Sequence, residues 1–221
     1  MSFWIQYPNL QFNEKTHVYT WNGRVVPSVT QVFDSIGYRK NDTLQFNPIG
    51  CPDFAKRQHD ADFGNAFHKM ANYITIGKSV EIPESMIDWQ IKLERFLNKY
   101  QLIPVFDLNG NHISEYPLYS VILRFCGTPD LLCREIKSGK LWLIDWKTSA
   151  KYHKIYGAQT GAYSRLVKEV FGGNIFDIRE KIIRKIVLFS ADKDFPEIVT
   201  RTETEDLINF QSIFNTYKLA A

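Results

Sequence analysis

The run Leu141-Trp142-Leu143-Ile144-Asp145-Trp146-Lys147 ends in charges that a buried strand ordinarily avoids. Its first four residues are apolar on both faces, the pattern of a central strand covered on both sides. Side chains alternate along a strand, so Asp145 and Lys147 project from one face at its carboxyl end. Two charges there are costly unless they pair with each other or bind something. A partly exposed Asp–Lys pair is the plain explanation, because DxK is a short and common pattern. Context adds a second acid. Fifteen residues earlier, Gly127-Thr128-Pro129-Asp130 precedes Leu131-Leu132. If the two strands form an antiparallel hairpin around Ser138-Gly139, Asp130 lies near Asp145. Two carboxylates held together repel, and a hard divalent cation relieves that. A neighbouring lysine supplies a point charge for a phosphate or a poised base for water. Glu115, one strand earlier, is a further acid within reach, with an exposed strand acid as its plain alternative.

Two more features accompany these acids. Ile155, Gln159, Ala162, Tyr163, Leu166 and Val170 share one side of a helix, so Gln159 and Tyr163 sit inside an apolar stripe. A buried amide must find partners. Either the pair is satisfied in the core, or it faces the charged strand end and holds substrate or ligands. Gly64-Asn65-Ala66-Phe67-His68 places a histidine one turn after a glycine that permits close backbone approach. A solvated or core histidine is the plain alternative to a ligand there. His17, His59, His112 and His153 have no patterned acid partner and read as surface residues.

The elements that must position these residues follow from pattern. His17–Trp21 and Arg24–Val26 flank Asn22-Gly23, a type I′ hairpin signal. Ser28 and Gln31 form a capping box that opens a short helix over 29–36. Residues 39–52 look irregular, and a helix is expected from about Asp53 to Ile76, with a break near Gly64. Trp89, Leu93, Phe96, Leu97 and Tyr100 give one buried stripe on a helix over 85–100. Period two predicts strands at His112–Phe125, Gly127–Cys133 and Leu141–Lys147. A helix at 155–170 and a strand at 182–190 follow. The last helix, 203–218, opens on a Thr202/Glu205 capping box. This is an α/β fold, a small mixed sheet flanked by helices, with an N-terminal hairpin and helical region. The run Arg179, Lys181, Arg184, Lys185 reads as a solvated face.

Gly64–His68 as GxxxH, Gly127–Asp130 as GTPD, Ile144–Ser149 as IDWKTS and Gln159–Tyr163 as QxxxY, in this order, resemble the PD-(D/E)XK nuclease superfamily. Within it they look like the RecB-type exonuclease branch. Pro27-Ser28-Val29-Thr30-Gln31-Val32 resembles the start of small phage members and of the mitochondrial genome maintenance exonuclease. The resemblance implies a restriction-endonuclease-like core, with residues 1–221 as one nuclease domain: an extension over 1–50 and a catalytic core over 51–221. It implies that Asp130 and Asp145 ligate Mg2+ or Mn2+, with His68 as a further ligand and Glu115 beside them. Glu135 competes with Glu115 for that place. Lys147 would position or activate water. Gln159 and Tyr163 would orient Lys147 or contact the DNA backbone, with Thr148 and Lys151 also at the substrate. Cys51, Cys126 and Cys133 lack the spacing for an iron–sulfur cluster, so none is expected.

Composition is compatible with this. Lys+Arg 27 against Asp+Glu 24 leaves a net charge of +3, too weak for a nucleic-acid coating protein. Committing Asp130, Asp145 and Glu115 to a cation makes the remaining surface more basic. No apolar run is long enough to span a membrane, the start is unlike a targeting peptide, and three unpatterned cysteines suit a reducing compartment. The expectation is an intracellular exonuclease of phage, bacterial or organelle DNA processing. Trp146, Tyr152 and Tyr156 would serve as stacking platforms, with Lys151 and Lys154 on the backbone. No helicase motif is present, so a helicase, polymerase or single-strand-binding protein would supply its strand. Two alternatives remain: a structure-selective endonuclease, with residues 39–62 arching over the cleft or not, and a catalytically silent recombination accessory protein. A paired-carboxylate glycosidase fits the acids but not Lys147 on their face.

Overall fold

Asn22 and Gly23 adopt φ values of 50° and 75°, the two positive angles that a type I′ turn requires. In the computed structural model they join β2 (Val18–Trp21) to β3 (Arg24–Val26), and β1 (Leu10–Asn13) pairs antiparallel with β2. The structure describes residues 9–13, 16, 18–35, 54–201 and 203–220, with only the backbone for 54–61, 203 and 220. Helix α1 (Val29–Ser35) opens on the expected capping box: Ser28 N–H donates to Gln31 Oε1 at 3.0 Å, and Gln31 N–H to Ser28 Oγ at 3.1 Å. Helix α2 (Phe54–Thr75) runs through Gly64 without a break. Helix α3 (Ile87–Tyr100) follows a single 3-10 turn. His17, Cys51, Thr202 and most of the 39–62 segment lie outside the described residues, and of His59 only the backbone is described.

The central sheet has the order β10-β9-β8-β7-β4, formed by Glu197–Arg201, Ile182–Leu188, Leu141–Lys147, Leu131–Glu135 and Leu102–Pro104 respectively. The pairs β7–β8 and β4–β7 are antiparallel, whereas β8 and β9 run parallel across α4 (Lys154–Phe171). Helix α5 (Glu203–Ala220) packs on α4. The fold is thus mixed α/β. Among the described residues no helix is long and apolar enough to cross a membrane.

Strand β8 divides its side chains between two cores. Leu141 and Leu143 pack with α1, α4 and α5, while Trp142, Ile144 and Trp146 pack with α2 and α3. Both faces are covered, which is why its apolar residues show no surface alternation. Each fully buried large side chain contributes about 1.5–3 kcal/mol. Trp146 is 1% exposed and lies edge-on to Phe96 and Phe189, so it is core and cannot stack on a base.

Three expectations need correction. The strand expected over His112–Phe125 shrinks to β5 (Leu118–Tyr119), because Glu115 and Arg124 take left-handed φ angles that break an extended run. The strand expected over Gly127–Cys133 divides at Pro129, which has no N–H to give a ladder. Cys126–Gly127 becomes β6 and pairs with β5, and Leu131 opens β7. Arg184 is not on a solvated face. It is 0% exposed, and its Nη1 lies 3.0 Å from Asp206 Oδ2 on α5.

Candidate active site

Strand alternation puts Asp145 and Lys147 on the face that α4 covers, at the carboxyl end of β8. Lys147 Nζ donates to Asp145 Oδ1 at 3.0 Å and to Gln159 Oε1 at 3.1 Å. Gln159 Nε2 donates to Tyr163 OH at 2.9 Å, one turn along α4. The polar pair in the apolar stripe is therefore satisfied through the lysine. The ammonium also lies 5.0 Å from the Tyr156 ring centroid. Tyr156 is buried beneath it and is no more a free stacking surface than Trp146.

Asp130 immediately precedes β7. The register Leu131↔Ile144 brings it to the same sheet end as Asp145, as the hairpin argument requires. Its Oδ2 accepts the Trp146 N–H at 2.6 Å and lies 3.4 Å from His68 Nδ1. His68 reaches over from α2, and Glu115 Oε1 is also 3.4 Å from its Nδ1. Ligand atoms of His68, Glu115 and Asp130 all fall within 4.8 Å of one another. At Gly64 α2 lies against the chain just beyond β8, where a Cβ would come into ordinary contact with Thr148 Oγ1 at 3.4 Å. Glu135 sits at the far end of β7 and bonds the Ser138 hydroxyl, away from this group.

Glu115 owes its position to backbone that its sequence does not announce. Its φ of 47° is unusual for a non-glycine residue, and such conformations cluster where surrounding structure holds a functional side chain. Its N–H donates to Asp130 O at 3.0 Å. The preceding hydroxyl, Ser114 Oγ, lies 2.9 Å from both Asp130 O and Asn72 Oδ1, which ties Glu115, Asp130 and α2 together.

Burial is the first cause of the electrostatic shifts in this group. Burial pushes the Asp145 carboxyl up to about 6, with Lys147 opposing and Asp130 adding to the rise. Glu115 is pushed up to about 7, by burial first, with His68 opposing and Asp130 and Asp145 adding to the rise. Burial would lower the His68 imidazole, but the Asp130 and Glu115 carboxylates reverse this and raise it to about 10. Two buried carboxylate oxygens, Glu115 Oε1 and Asp145 Oδ2, have no hydrogen-bond partner. The latter is 2.9 Å from Lys147 Nζ, an ion-pair distance without hydrogen-bond alignment. Hard carboxylate oxygens beside an imidazole suit Mg2+ or Mn2+.

His68, Glu115, Asp130, Lys147, Gln159 and Tyr163 open onto a cleft of about 1300 Å³, whereas Asp145 is buried behind its lining. One wall is a polar face of α2, with Asn65, His68, Lys69, Asn72 and Tyr73. Opposite lie Glu115, Thr128, Asp130, Lys147, Gln159 and Tyr163, and the N-terminal sheet closes the cleft with Tyr19, whose OH bonds Thr128 Oγ1. Thr148 and Lys151 lie on the chain leaving β8, the first half-buried and the second exposed. Sequence reasoning overlooked Asn72, Ser114 and Lys69. The i, i+3, i+4, i+7 spacing of Asn65, His68, Lys69 and Asn72 is the signal that could have found this face.

No family model matches the chain, and no curated protein matches it in sequence. Among solved structures, the protein SSO0001 is 13% identical, over 76% of this chain and 71% of that one, with a TM-score of 0.37. A protein from Eubacterium rectale, named as a candidate exonuclease, is 9% identical over 80% of this chain and 85% of its own, with a TM-score of 0.30. Chains so different in sequence and so loosely superposed need not share chemistry.

Proposed function

We propose that this chain is a divalent-cation-dependent phosphodiesterase, specifically a deoxyribonuclease that trims single-stranded DNA or DNA ends. The observation that carries the reading is the convergence of His68, Glu115 and Asp130 within 4.8 Å on the cleft that also presents Lys147. Those three residues would hold Mg2+ or Mn2+, with Asp145, electrostatically coupled to Asp130, as the further acid. The cation would polarise the scissile phosphate and favour deprotonation of the attacking water.

The chain's own residues supply the remainder. Lys147, clamped by Asp145 and Gln159, donates to a phosphate oxygen or orients the attacking water and offsets charge on the phosphate as the bond to the leaving oxygen breaks. Tyr163 fixes the Gln159 amide, and so the lysine. Thr148 and Lys151 contact the strand backbone beyond the scissile bond. Water adds to phosphorus and the 3′-oxygen leaves with a proton, giving a 5′-phosphate and a 3′-hydroxyl. The four motifs and their resemblance to the RecB-type branch support DNA as the substrate. A helicase, polymerase or single-strand-binding protein would present the strand, in bacterial or phage-infected cytoplasm or an organelle matrix. A structure-selective endonuclease would use the same groups on an uninterrupted strand.

The test is a time course with purified chain on end-labelled linear and circular single-stranded DNA, with Mg2+, Mn2+ or EDTA. The linear strand should be degraded with either metal and spared in EDTA. Cutting of the circle would select the endonuclease. No hydrolysis with either metal, or undiminished hydrolysis in EDTA, would sink the cation mechanism.

A further inference from the structure

Beyond the metal centre, the same cleft has an outer end built by the chain over 105–114. Phe106 and His112 are bridge partners, and Ile113 N–H donates to Val105 O at 2.8 Å. Bridge partners share a face, and here their rings meet at 4.5 Å between centroids with 39° between planes. His112 and Ser114 both line the cleft, and Ser114 reaches Asn72 on α2. His112 is therefore not the idle surface residue its sequence context suggests.

Phe106 remains 45% exposed and Leu108, at the tip, 71% exposed. A phenylalanine ring is more often hidden, yet this turn is held firmly. Asp107 carboxylate oxygens accept the backbone N–H groups of Asn109 and Asn111 at 2.8 and 2.9 Å, and the Tyr116 hydroxyl at 3.1 Å. The rings are thus presented on a stiff support. Lys69 and Tyr73 line the same cleft as His112, with Lys69 Nζ 5.9 Å from the Tyr73 ring centroid.

We propose that the outer end of the cleft is a nucleobase subsite. An unpaired base stacks on His112, which Phe106 backs at 4.5 Å from outside the cleft lining, and Lys69 and Asn72 hold the phosphate that leads inward to His68 and Lys147. This rests on the nucleic-acid reading above and sharpens its substrate: a base already stacked and paired in a duplex cannot be received there, so the cleft selects single strands.

The test is fluorescence anisotropy in EDTA, so that binding is measured with cleavage off. The probes are a fluorescein-labelled single-stranded oligodeoxynucleotide, versions with one abasic position scanned along it, and the duplex. Wild type should bind the intact single strand about fivefold or more better than the best-placed abasic strand, and better than the duplex. Phe106→Ala, His112→Ala and their combination should weaken binding of the intact strand by a similar factor. The combined variant should no longer distinguish intact from abasic. The abasic scan on wild type needs no variant, so a variant that failed to fold would not remove the test. Equal affinity for intact and abasic strands throughout the scan, or the same abasic penalty in wild type and the combined variant, would overturn the subsite. If hydrolysis with Mg2+ persists in that case, the phosphodiesterase reading survives. Absence of both binding and hydrolysis in wild type would end both.

Discussion

Lys147 Nζ lies 3.1 Å from Gln159 Oε1, so a strand-end lysine is aimed by an amide on the helix that crosses over it. The amide is oriented in turn by Tyr163, 2.9 Å from its Nε2, and the ammonium by Asp145. Three side chains from two elements thus fix one positive charge at the cleft.

Activity should follow this order of contact. Lys147→Ala removes the charge itself and is expected to lower the hydrolysis rate by about 100-fold or more. Gln159→Leu leaves the charge but frees its aim, with an expected loss of about tenfold. Gln159→Glu keeps an acceptor for the lysine and should retain more activity than Gln159→Leu. Initial rates on end-labelled single strands, beside thermal melts, make the comparison. A wild-type rate in Lys147→Ala would remove the lysine from the mechanism.

Gly127 offers a second way to disturb the same aim without touching a polar group. A Cβ there would stand 2.7 Å from Tyr163 Cε1 and 2.9 Å from Leu166 Cδ1, too close for either to stay. Gly127→Ala should cost about 1–3 kcal/mol through overpacking. The displaced tyrosine should also release Gln159, so activity at a temperature well below the melt should fall as well. Destabilisation with unchanged activity would show that Tyr163 does not position the amide.

Much of this site was legible because it obeys local rules. Period two puts Asp145 and Lys147 on one face, a hairpin at Ser138-Gly139 would bring Asp130 near Asp145, and period 3.6 puts Gln159 in an apolar stripe, leaving its contact with Lys147 for the tertiary structure to supply. The hairpin at Asn22-Gly23 and the Ser28/Gln31 box are equally local. What escaped depends on tertiary support. Nothing local forces Glu115 into a left-handed angle; the Asp130 carbonyl and the Ser114–Asn72 contact accompany it. Trp146 and Arg184 were misplaced for a related reason. A tryptophan between two charges, or an arginine in a basic run, looks exposed until Phe189 or Asp206 arrives from elsewhere in the chain.

Arg184 makes the next expectation. It is fully buried with Asp206, which also accepts a 2.6 Å contact from Arg201 Nη2. Breaking a buried pair strands a charge, at a cost of about 3–5 kcal/mol. Asp206→Ala should therefore lower stability by that order in urea unfolding. Adding Arg184→Leu to it should restore part of the loss, because the stranded guanidinium is gone. A double variant less stable than Asp206→Ala would mean that Arg184 contributes mainly by packing its stem.

The Asp107 turn predicts a pH dependence of stability. Burial alone would raise this carboxyl, but hydrogen bonds from Asn111, Asn109 and Tyr116 outweigh it and hold it below its ordinary value. A carboxyl with a depressed folded pKa favours the folded state above its unfolded value, about 3.9. That contribution is lost as pH falls from there through the lower folded value, where both states become protonated. Asp107→Asn should thus be less stable than wild type near neutral pH, by about 1–3 kcal/mol for charge-assisted bonds lost. The gap should narrow as the pH drops below about 4, because the wild-type carboxyl then gives up its charge as well. Urea midpoints of the two proteins across acid pH provide the measurement. A gap that stays constant through that range would mean that the variant's loss does not come from the carboxylate's charge.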